Sequence, residues 1–200
     1  DPKKYYPRSI RGKIHEQVLQ RFGESALFYL GFKQFDFIDF KEFVSKMNLK
    51  SNNRVNLAVI GCGNIAQFHI PAMKDVGFNI VAIAGSLNSK NALDFAKKYE
   101  IAKVYNNPLD LFENSGEWDA LLILSPVSTI IDYLNLAVQF GKPILSEKPV
   151  ALDHVYLKDL TQYRNIRVVY NRRFYLGVEF SKKYVQKYPN SLIKVTIPEG

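Results

Sequence analysis

A glycine-rich turn between an apolar run and a helical pattern is the first place where this chain could bind a reactive ligand. The apolar run, 55–60, has the composition of a buried parallel strand, and the turn GCGNIA follows it. Gly61 permits a tight turn, Gly63 lets a pyrophosphate approach the backbone, and Ala66 keeps the next helix close to the strand. The same spacing also fits a strand-to-helix turn that holds no ligand. The turn residues expected to contact a dinucleotide are Gly61, Gly63, Asn64 and Ile65.

An acid and a lysine follow a second short apolar strand, in the stretch GKPILSEKPVAL. Lys148 would lie at the carboxyl end of that strand, on the edge where α/β proteins bind ligands. Its ammonium group can hydrogen-bond a reacting hydroxyl and, since we expect the lysine to be buried there, assist proton transfer. Glu147 could hold the orientation of the lysine, and Pro149 could fix the turn through a cis peptide bond. A surface lysine in a strand-end turn is the alternative interpretation of the same residues.

Together the two stretches resemble the Gfo/Idh/MocA oxidoreductases, the family of glucose–fructose oxidoreductase and inositol dehydrogenase. The Glu147-Lys148-Pro149 sequence is similar to the EKP signature of that family. Across about 53–174 the elements also follow the family's order: the glycine turn, a helix carrying HIPAM, LSP after the fourth strand, GKPILSEKP after the fifth, then YNRRF. The resemblance implies that Lys148 is the catalytic residue. It also implies cofactor contacts from Ser125, Pro126, Glu147 and Lys148, and weaker substrate contacts from Asn171 and Arg173.

The resemblance implies an NAD(P)-dependent dehydrogenase or reductase. Such an enzyme moves a hydride between nicotinamide and a hydroxyl or carbonyl of a small sugar-like substrate, which includes nucleotide sugars. In the family, a second domain with a large open sheet supplies much of the substrate pocket and the usual oligomer contact. Only the start of such a domain fits before Gly200, so the 200-residue chain alone is expected to be incomplete as an enzyme. The full-length protein is expected to form a homo-oligomer.

Two other functions remain open. The family often has a histidine four residues after the proline that follows the fourth strand, and this chain has Ile130 there, counted from Pro126. That departure favours a non-catalytic module that holds NAD(P) for sensing or scaffolding. A methyltransferase-like use of the turn for S-adenosylmethionine is the other alternative. It is less well supported, because no acid ends the second strand to hold that ribose, and the EKP stretch has no role in it.

The end of the second strand bears on the choice between NAD and NADP. An acid at this position would accept hydrogen bonds from the ribose 2′-OH of NAD and would repel the 2′-phosphate of NADP. The sequence here is AIAGSLNSKNA, in which Gly85 and Ser86 stand where an acid is expected and Lys90 follows. We therefore expect Ser86 and Lys90 to contact the cofactor and NADP to be slightly favoured over NAD. The alternative is an ordinary helix start, since Ser86 is a good capping residue.

The order of apolar runs and helical patterns predicts an α/β fold in three parts. Residues 1–53 form an aromatic-rich, mainly helical extension, and 54–174 form an NAD(P)-binding Rossmann domain with a doubly wound parallel sheet. Residues 175–200 form the start of a truncated C-terminal substrate domain. The extension carries apolar residues at helical spacing, which indicate a core or docking face rather than a cofactor site. These residues are Phe37, Phe40, Val44 and Met47.

Strands and helices alternate between residues 54 and 171, which is typical of a parallel sheet covered by helices on both faces. The expected strands lie near 55–60, 79–84, 119–124, 143–146 and 166–170. The expected helices lie near 64–76, 88–99, 107–114, 128–140 and 152–163. Asn107-Pro108 starts the third of these helices. A helix near 176–187 and a β-rich run at 192–197 follow.

Composition limits the classes of partner. The net charge of +8 lies in the flanks, since residues 54–150 hold eight Lys or Arg against nine Asp or Glu. The sequence has no dense basic stripe of the kind that would predict a nucleic-acid partner. It also has no apolar run of the ~18 residues that a membrane span needs. The single cysteine, Cys62, fits a reducing compartment and a cytoplasmic location. His15, His69 and His154 show no metal-ligand spacing, so no metal is expected, and His69 is expected to be a packing or capping residue.

Overall fold

The centre of the fold is a sheet of six parallel strands in the order β3-β2-β1-β4-β5-β6. The computed structural model describes residues 37–47, 55–85, 90–170 and 176–194. This strand order is that of a doubly wound sheet, as the sequence predicts. The strands are β1 (Asn56–Ile60), β2 (Asn79–Ala84), β3 (Lys103–Tyr105), β4 (Ala120–Ile123), β5 (Ile144–Ser146) and β6 (Ile166–Val168).

Six α-helices lie among the described residues, and most follow the predicted positions. They are α1 (37–46), α2 (Ala66–Val76), α3 (Lys90–Tyr99), α4 (Pro108–Glu113), α5 (Val127–Ala137) and α6 (Leu176–Lys187). Helix α4 begins as predicted: the Asn107 side chain accepts a hydrogen bond from the Leu109 N–H at 3.0 Å, and Pro108 occupies the first helical position. A 3-10 turn, Val138–Phe140, extends α5.

The sheet is buried on both faces, which is why its strands read as continuous apolar runs. Helices α1, α2 and α3 cover one face, where Leu57 and Leu122 pack with Ile70. Helices α4 and α5 cover the other, where Ile60 and Ile123 pack against their apolar residues. The strand order reverses between β1 and β4, which pair in register from Leu57–Ala120 to Ile60–Ile123. That reversal opens a crevice at the carboxyl ends of these two strands.

Helix α1 belongs to the aromatic-rich extension and packs on the same sheet face as α2. Phe37, Phe40 and Val44 are buried in the core, whereas Met47 is 37% exposed. This confirms that the apolar stripe is a core face. Residues 1–36, the first part of the extension, lie outside the described residues.

Three sequence predictions differ from the structure. Strand β3 was not predicted, because it has only three residues and begins with an exposed lysine rather than an apolar run. The helix expected at 152–163 is instead two 3-10 turns, His154–Leu157 and Asp159–Gln162. Leu160 is the only buried side chain in those turns, so no apolar face docks to stabilise a longer helix. In the β-rich run, residues 192–194 form no strand, and 195–197 lie outside the described residues.

We predict that α1 is required for stability. Phe40 is almost fully buried and stacks on Phe78 with ring centroids 6.0 Å apart. Phe40→Ala should therefore lower the free energy of unfolding by about 3–5 kcal/mol, the usual range for truncating a core Phe. Met47→Ala, at the partly exposed end of the same helix, should change it by only about 0.5 kcal/mol. Chemical denaturation of both variants measures the difference, and equal small losses would show that α1 does not belong to the core.

Candidate functional site

The first glycine of the turn is required by the packing of β1 against β4. Gly61 has φ +107°, and a Cβ built there would lie 2.7 Å from both the carbonyl carbon and the oxygen of Leu124. The Leu124 N–H donates to the Ile60 carbonyl at 2.7 Å, and the Gly61 N–H donates to the Ala84 carbonyl at 2.8 Å. The turn is thus tied to the ends of both neighbouring strands. Any side chain at Gly61 would separate β1 from the segment after β4.

The second glycine meets no such constraint. A Cβ at Gly63 would find no heavy atom within 4 Å, and its φ is outside the left-handed region. Among the described residues, the N–H groups of Gly63, Asn64 and Ile65 donate to no carbonyl or side chain. These groups lie before α2, whose positive dipole end points the same way. Open space beside unpaired N–H donors at a helix N-terminus is a cradle for an anion such as a phosphate.

A buried hydroxyl lies beside the glycine turn. Ser125 follows Leu124 at the end of β4, and its Oγ has no hydrogen-bond partner among the described residues. Leaving such a group unpaired costs about 1–3 kcal/mol, so it marks a position where a ligand can supply the missing partner. Pro126 is exposed next to it, and α5 begins at Val127. The anion cradle and the unpaired hydroxyl together fit the diphosphate and ribose of a dinucleotide.

The acid–lysine stretch follows β5 at the same edge of the sheet. The Glu147 N–H donates to the Ile123 carbonyl at 2.9 Å, which continues the ladder between β4 and β5 beyond the strands. Lys148 comes next, and its side chain is exposed and not buried as expected, because it lies just beyond the paired end of β5. The peptide bond to Pro149 is cis, as the sequence predicts. The candidate catalytic lysine and the glycine turn therefore lie at the ends of strands separated only by β4.

Both oxygens of the Glu147 carboxylate have partners. Oε2 accepts a hydrogen bond from the Lys148 backbone N–H at 2.9 Å. Oε1 lies 2.6 Å from Nε2 of His69, and an ionised carboxylate accepts the imidazole N–H there. His69 is fully buried on α2, and Glu147 is 8% exposed. Glu147 therefore contacts the lysine through its backbone N–H.

His69 is the residue whose role the sequence analysis missed. It is packed, as expected, but it also joins α2 to the turn after β5 through Glu147. The place of His69 in the sequence could have indicated this contact. Helix α2 starts at the carboxyl end of β1, so its first two turns lie near the carboxyl ends of the other strands. A buried histidine at the start of such a helix has the residues after β4 and β5 within reach.

Several predicted site residues cannot be placed. Ser86, Asn171 and Arg173 lie outside the described residues, and for Lys90 only the backbone, at the start of α3, is described. Ile130, at the position of the family's histidine, is buried in the core between α5 and the sheet. Tyr170, after β6, is exposed.

The described part of the chain contains neither a cluster of metal-binding side chains nor a membrane-spanning helix. No group of three or more His, Cys, Asp or Glu side chains there could hold a metal ion. None of the helices there combines the length and the hydrophobicity that a membrane crossing requires.

Comparison with known proteins identifies the family of the chain. Residues 55–167, more than half of the chain, match the model of the Gfo/Idh/MocA oxidoreductase family, described as having an NAD-binding Rossmann fold. Inositol 2-dehydrogenase 2 of Saccharopolyspora erythraea is 33% identical over 98 residues, which is 48% of this chain and 29% of that protein. An uncharacterized protein of Saccharomyces cerevisiae is 29% identical over 143 residues, which is 66% of this chain and 40% of that one.

Solved structures of the family share the fold. Myo-inositol dehydrogenase from Lactobacillus casei, in complex with NAD(H) and myo-inositol, superposes with a TM-score of 0.62 at 24% identity. The WlbA dehydrogenase from Bordetella pertussis, in complex with NADH and UDP-GlcNAcA, superposes with a TM-score of 0.60 at 20% identity. Each alignment covers 68% of this chain and 42% of the other. The chain spans about two fifths or less of the relatives it matches, and by its sequence match it belongs to the Gfo/Idh/MocA oxidoreductase family, whose NAD-binding Rossmann fold it carries at residues 55–167.

Proposed function

We propose that the protein is an NAD(P)-dependent dehydrogenase or reductase that acts on a hydroxyl or carbonyl of a sugar-like substrate, with Lys148 as the catalytic residue. The observation that carries this proposal is the Glu147 carboxylate, which accepts a hydrogen bond from the Lys148 backbone N–H at 2.9 Å. It holds the lysine at the sheet edge where the glycine turn also lies. A lysine in an unconstrained surface turn would not need a largely buried acid beneath it.

Each candidate site residue has a proposed role that follows from its position. The N–H groups of Gly63, Asn64 and Ile65 bind the cofactor diphosphate, and Ser125 Oγ donates to or accepts from a cofactor hydroxyl. The nicotinamide of the bound cofactor supplies the hydride acceptor or donor. Lys148 Nζ hydrogen-bonds the reacting oxygen of the substrate and takes or gives the proton. Asn171 and Arg173 come after β6 in the sequence and are proposed to contact the substrate.

The substrate class is inferred from the relatives. Those with assigned activities include inositol 2-dehydrogenases, and one related structure holds UDP-GlcNAcA. Polyols and sugars share a secondary hydroxyl that can be oxidised to a carbonyl with loss of a hydride and a proton. A cyclic polyol, a sugar or a nucleotide sugar is therefore the proposed substrate class. We further propose that the full-length protein is cytoplasmic, forms a homo-oligomer, and completes the site with a substrate domain that begins within residues 175–200.

A non-catalytic NAD(P)-binding module is the second candidate. It is favoured by Ile130, because a buried aliphatic side chain at that position cannot replace the family's histidine in proton transfer or substrate binding. The two candidates share the cofactor site and differ only in turnover. Cofactor binding and turnover are therefore tested separately.

Gly63 is predicted to be required for cofactor binding and dispensable for folding. Gly63→Val should abolish NADPH and NADH binding, because the new side chain would fill the space proposed for the pyrophosphate. The far-ultraviolet circular dichroism and melting temperature should stay near those of the unaltered chain, since no atom lies within 4 Å of the Cβ position.

Gly116→Val is the matched control for that experiment. A Cβ at Gly116 also meets nothing within 4 Å, and it lies in the 3-10 turn Ser115–Glu117, before β4 and away from the carboxyl ends of the strands. Cofactor affinity, followed by NAD(P)H fluorescence, should be unchanged in this variant. Retained affinity in Gly63→Val would contradict the pyrophosphate placement.

NADP is proposed as the preferred cofactor, because β2 ends at Ala84 without an acid and the hydroxyl of Ser86 and the ammonium of Lys90 follow. Lys90→Glu should weaken NADPH binding much more than NADH binding, because the carboxylate would repel the 2′-phosphate. Isothermal titration with both cofactors measures the difference. Equal losses for both, or no loss for either, would show that the cation does not contact the 2′-phosphate.

Lys148 is predicted to act in turnover and not in cofactor affinity. In a polypeptide that includes the substrate domain, Lys148→Ala should lower kcat by about a hundredfold or more, the range of a general acid–base residue. NADPH affinity should stay nearly unchanged, because the lysine is proposed to face the nicotinamide end of the cofactor and not the diphosphate at the glycine turn. Lys158→Ala, at an exposed lysine of the 3-10 segment, is the control.

The 200-residue chain alone should bind cofactor with little turnover. In the longer polypeptide, normal turnover in Lys148→Ala would rule out the catalytic role.

A further inference from the structure

One side chain of α1 reaches the strand-end site. The Phe37 ring packs edge-on against the His69 ring, with centroids 5.3 Å apart and an interplanar angle of 71°. Both side chains are fully buried. Phe37 belongs to the aromatic-rich extension, whereas His69 and Glu147 lie within the family match at 55–167. The extension therefore contacts the histidine that holds Glu147.

The orientation of the His69 ring decides whether Glu147 keeps its partner. The χ2 torsion of histidine is broad and roughly two-fold, so a half-turn of the ring is intrinsically accessible. Such a turn would replace Nε2 by a carbon at Glu147 Oε1, and the 2.6 Å contact would lose its nitrogen. The carboxylate, which accepts the Lys148 N–H at Oε2, would then lose its hydrogen bond to His69 at Oε1. Packing of the ring on Phe37 opposes this rotation.

Helix α1 is anchored independently of Phe37. The Lys41 ammonium donates to the Val76 carbonyl at 2.8 Å, at the end of α2. Phe40 stacks on Phe78, and the Arg167 guanidinium of β6 lies 3.8 Å from the centroid of the Phe43 ring. These contacts join α1 to α2, to Phe78 just before β2, and to β6. A change at Phe37 can therefore alter the contact with His69 while the helix stays docked.

We propose that Phe37 is a positioning residue of the strand-end site. It holds the His69 ring in the orientation that engages Glu147, and Glu147 in turn fixes the backbone at Lys148. Helix α1 is then a working part of the site as well as a cover for the sheet. The catalytic consequence rests on the function proposed above, whereas the positioning of His69 can be tested without any turnover.

The first test is NMR of the histidine rings in the 200-residue chain. The chain has three histidines, so selective ¹⁵N-histidine labelling gives few signals. His154, whose side chain is 93% exposed, is an internal reference for a solvated ring. Phe37→Leu removes the aromatic edge but keeps an apolar side chain. Phe40→Leu is the matched control, because Phe40 is equally buried on the same helix and stacks on Phe78 instead.

In the unaltered chain, the His69 Nε2 proton should be present and slow to exchange with water. Phe37→Leu should speed its exchange by about two- to tenfold, the range that corresponds to a ring–ring contact. The ¹⁵N shifts of His69 should also move toward a mixture of ring states, while those of His154 stay unchanged. Phe40→Leu should change neither the exchange rate of the His69 Nε2 proton nor the His69 ¹⁵N shifts. This should hold even where Phe40→Leu lowers the melting temperature as much as Phe37→Leu does.

Three results would overturn the proposal. These are an unaltered chain without a protected Nε2 proton, a Phe37→Leu variant with unchanged His69 signals, and equal changes in the two variants. The last would mean that docking of the helix as a whole, and not the ring contact, controls His69. Should Phe37→Leu fail to fold, Phe37→Met offers a more adaptable side chain for the same comparison.

The second test is kinetic and uses the polypeptide with its substrate domain. Phe37→Leu should lower kcat about two- to tenfold without changing NADPH affinity, and Phe40→Leu should not lower kcat at a temperature where both are folded. An unchanged kcat in Phe37→Leu would overturn the link to Lys148. If Lys148→Ala also turns over normally, the proposed function fails, and the NMR result still decides whether Phe37 positions His69.

Discussion

Both faces of a parallel sheet must be covered, and this requirement determines where the first described helix lies. Connections that run outward from β1 to β3 place α2 and α3 on one face. Connections that run from β4 to β6 place α5 and the 3-10 turns on the other. The half of the sheet formed by β4, β5 and β6 therefore lacks a crossover helix on the α2 side. Helix α1 fills that position, with its phenylalanines packed among residues such as Leu145 and Val169.

The same winding creates the site and explains why its two glycines differ. The connections after β1 and β4 run to opposite faces of the sheet. The turn after β1 therefore faces open space on its free side and packs against the end of β4 on its other side. Gly61 lies on the packed side, where a Cβ would lie 2.7 Å from Leu124, and is needed for the fold. Gly63 lies on the free side, where the protein itself gives no reason for a glycine. A turn that served only to connect a strand to a helix would need the first glycine and not the second.

Much of the fold followed from the sequence, because periodicity and turn chemistry are local. The run from Val55 to Ile60, the glycine turn and Asn107-Pro108 each carry their structural information within a few residues. Strand β3 and the irregular 152–163 segment did not follow, since their states depend on how much surface they bury against the sheet. Within the site, the glycines and Lys148 could be predicted from motifs. The contact from Phe37 through His69 to Glu147 could not, because it joins segments up to 110 residues apart whose proximity only the folded chain creates.

The Glu147 carboxylate is a buried charge that binds the main chain at an exposed lysine. A charge this buried costs several kcal/mol in lost hydration, and two charge-assisted hydrogen bonds must offset that cost. One of them comes from the backbone of Lys148, so the energetic need to pair the acid also fixes the main chain at the lysine. The ammonium group remains exposed beyond that point. If Lys148 is catalytic, as proposed, Glu147, His69 and Phe37 orient it, and the bound substrate has to exclude water from Nζ.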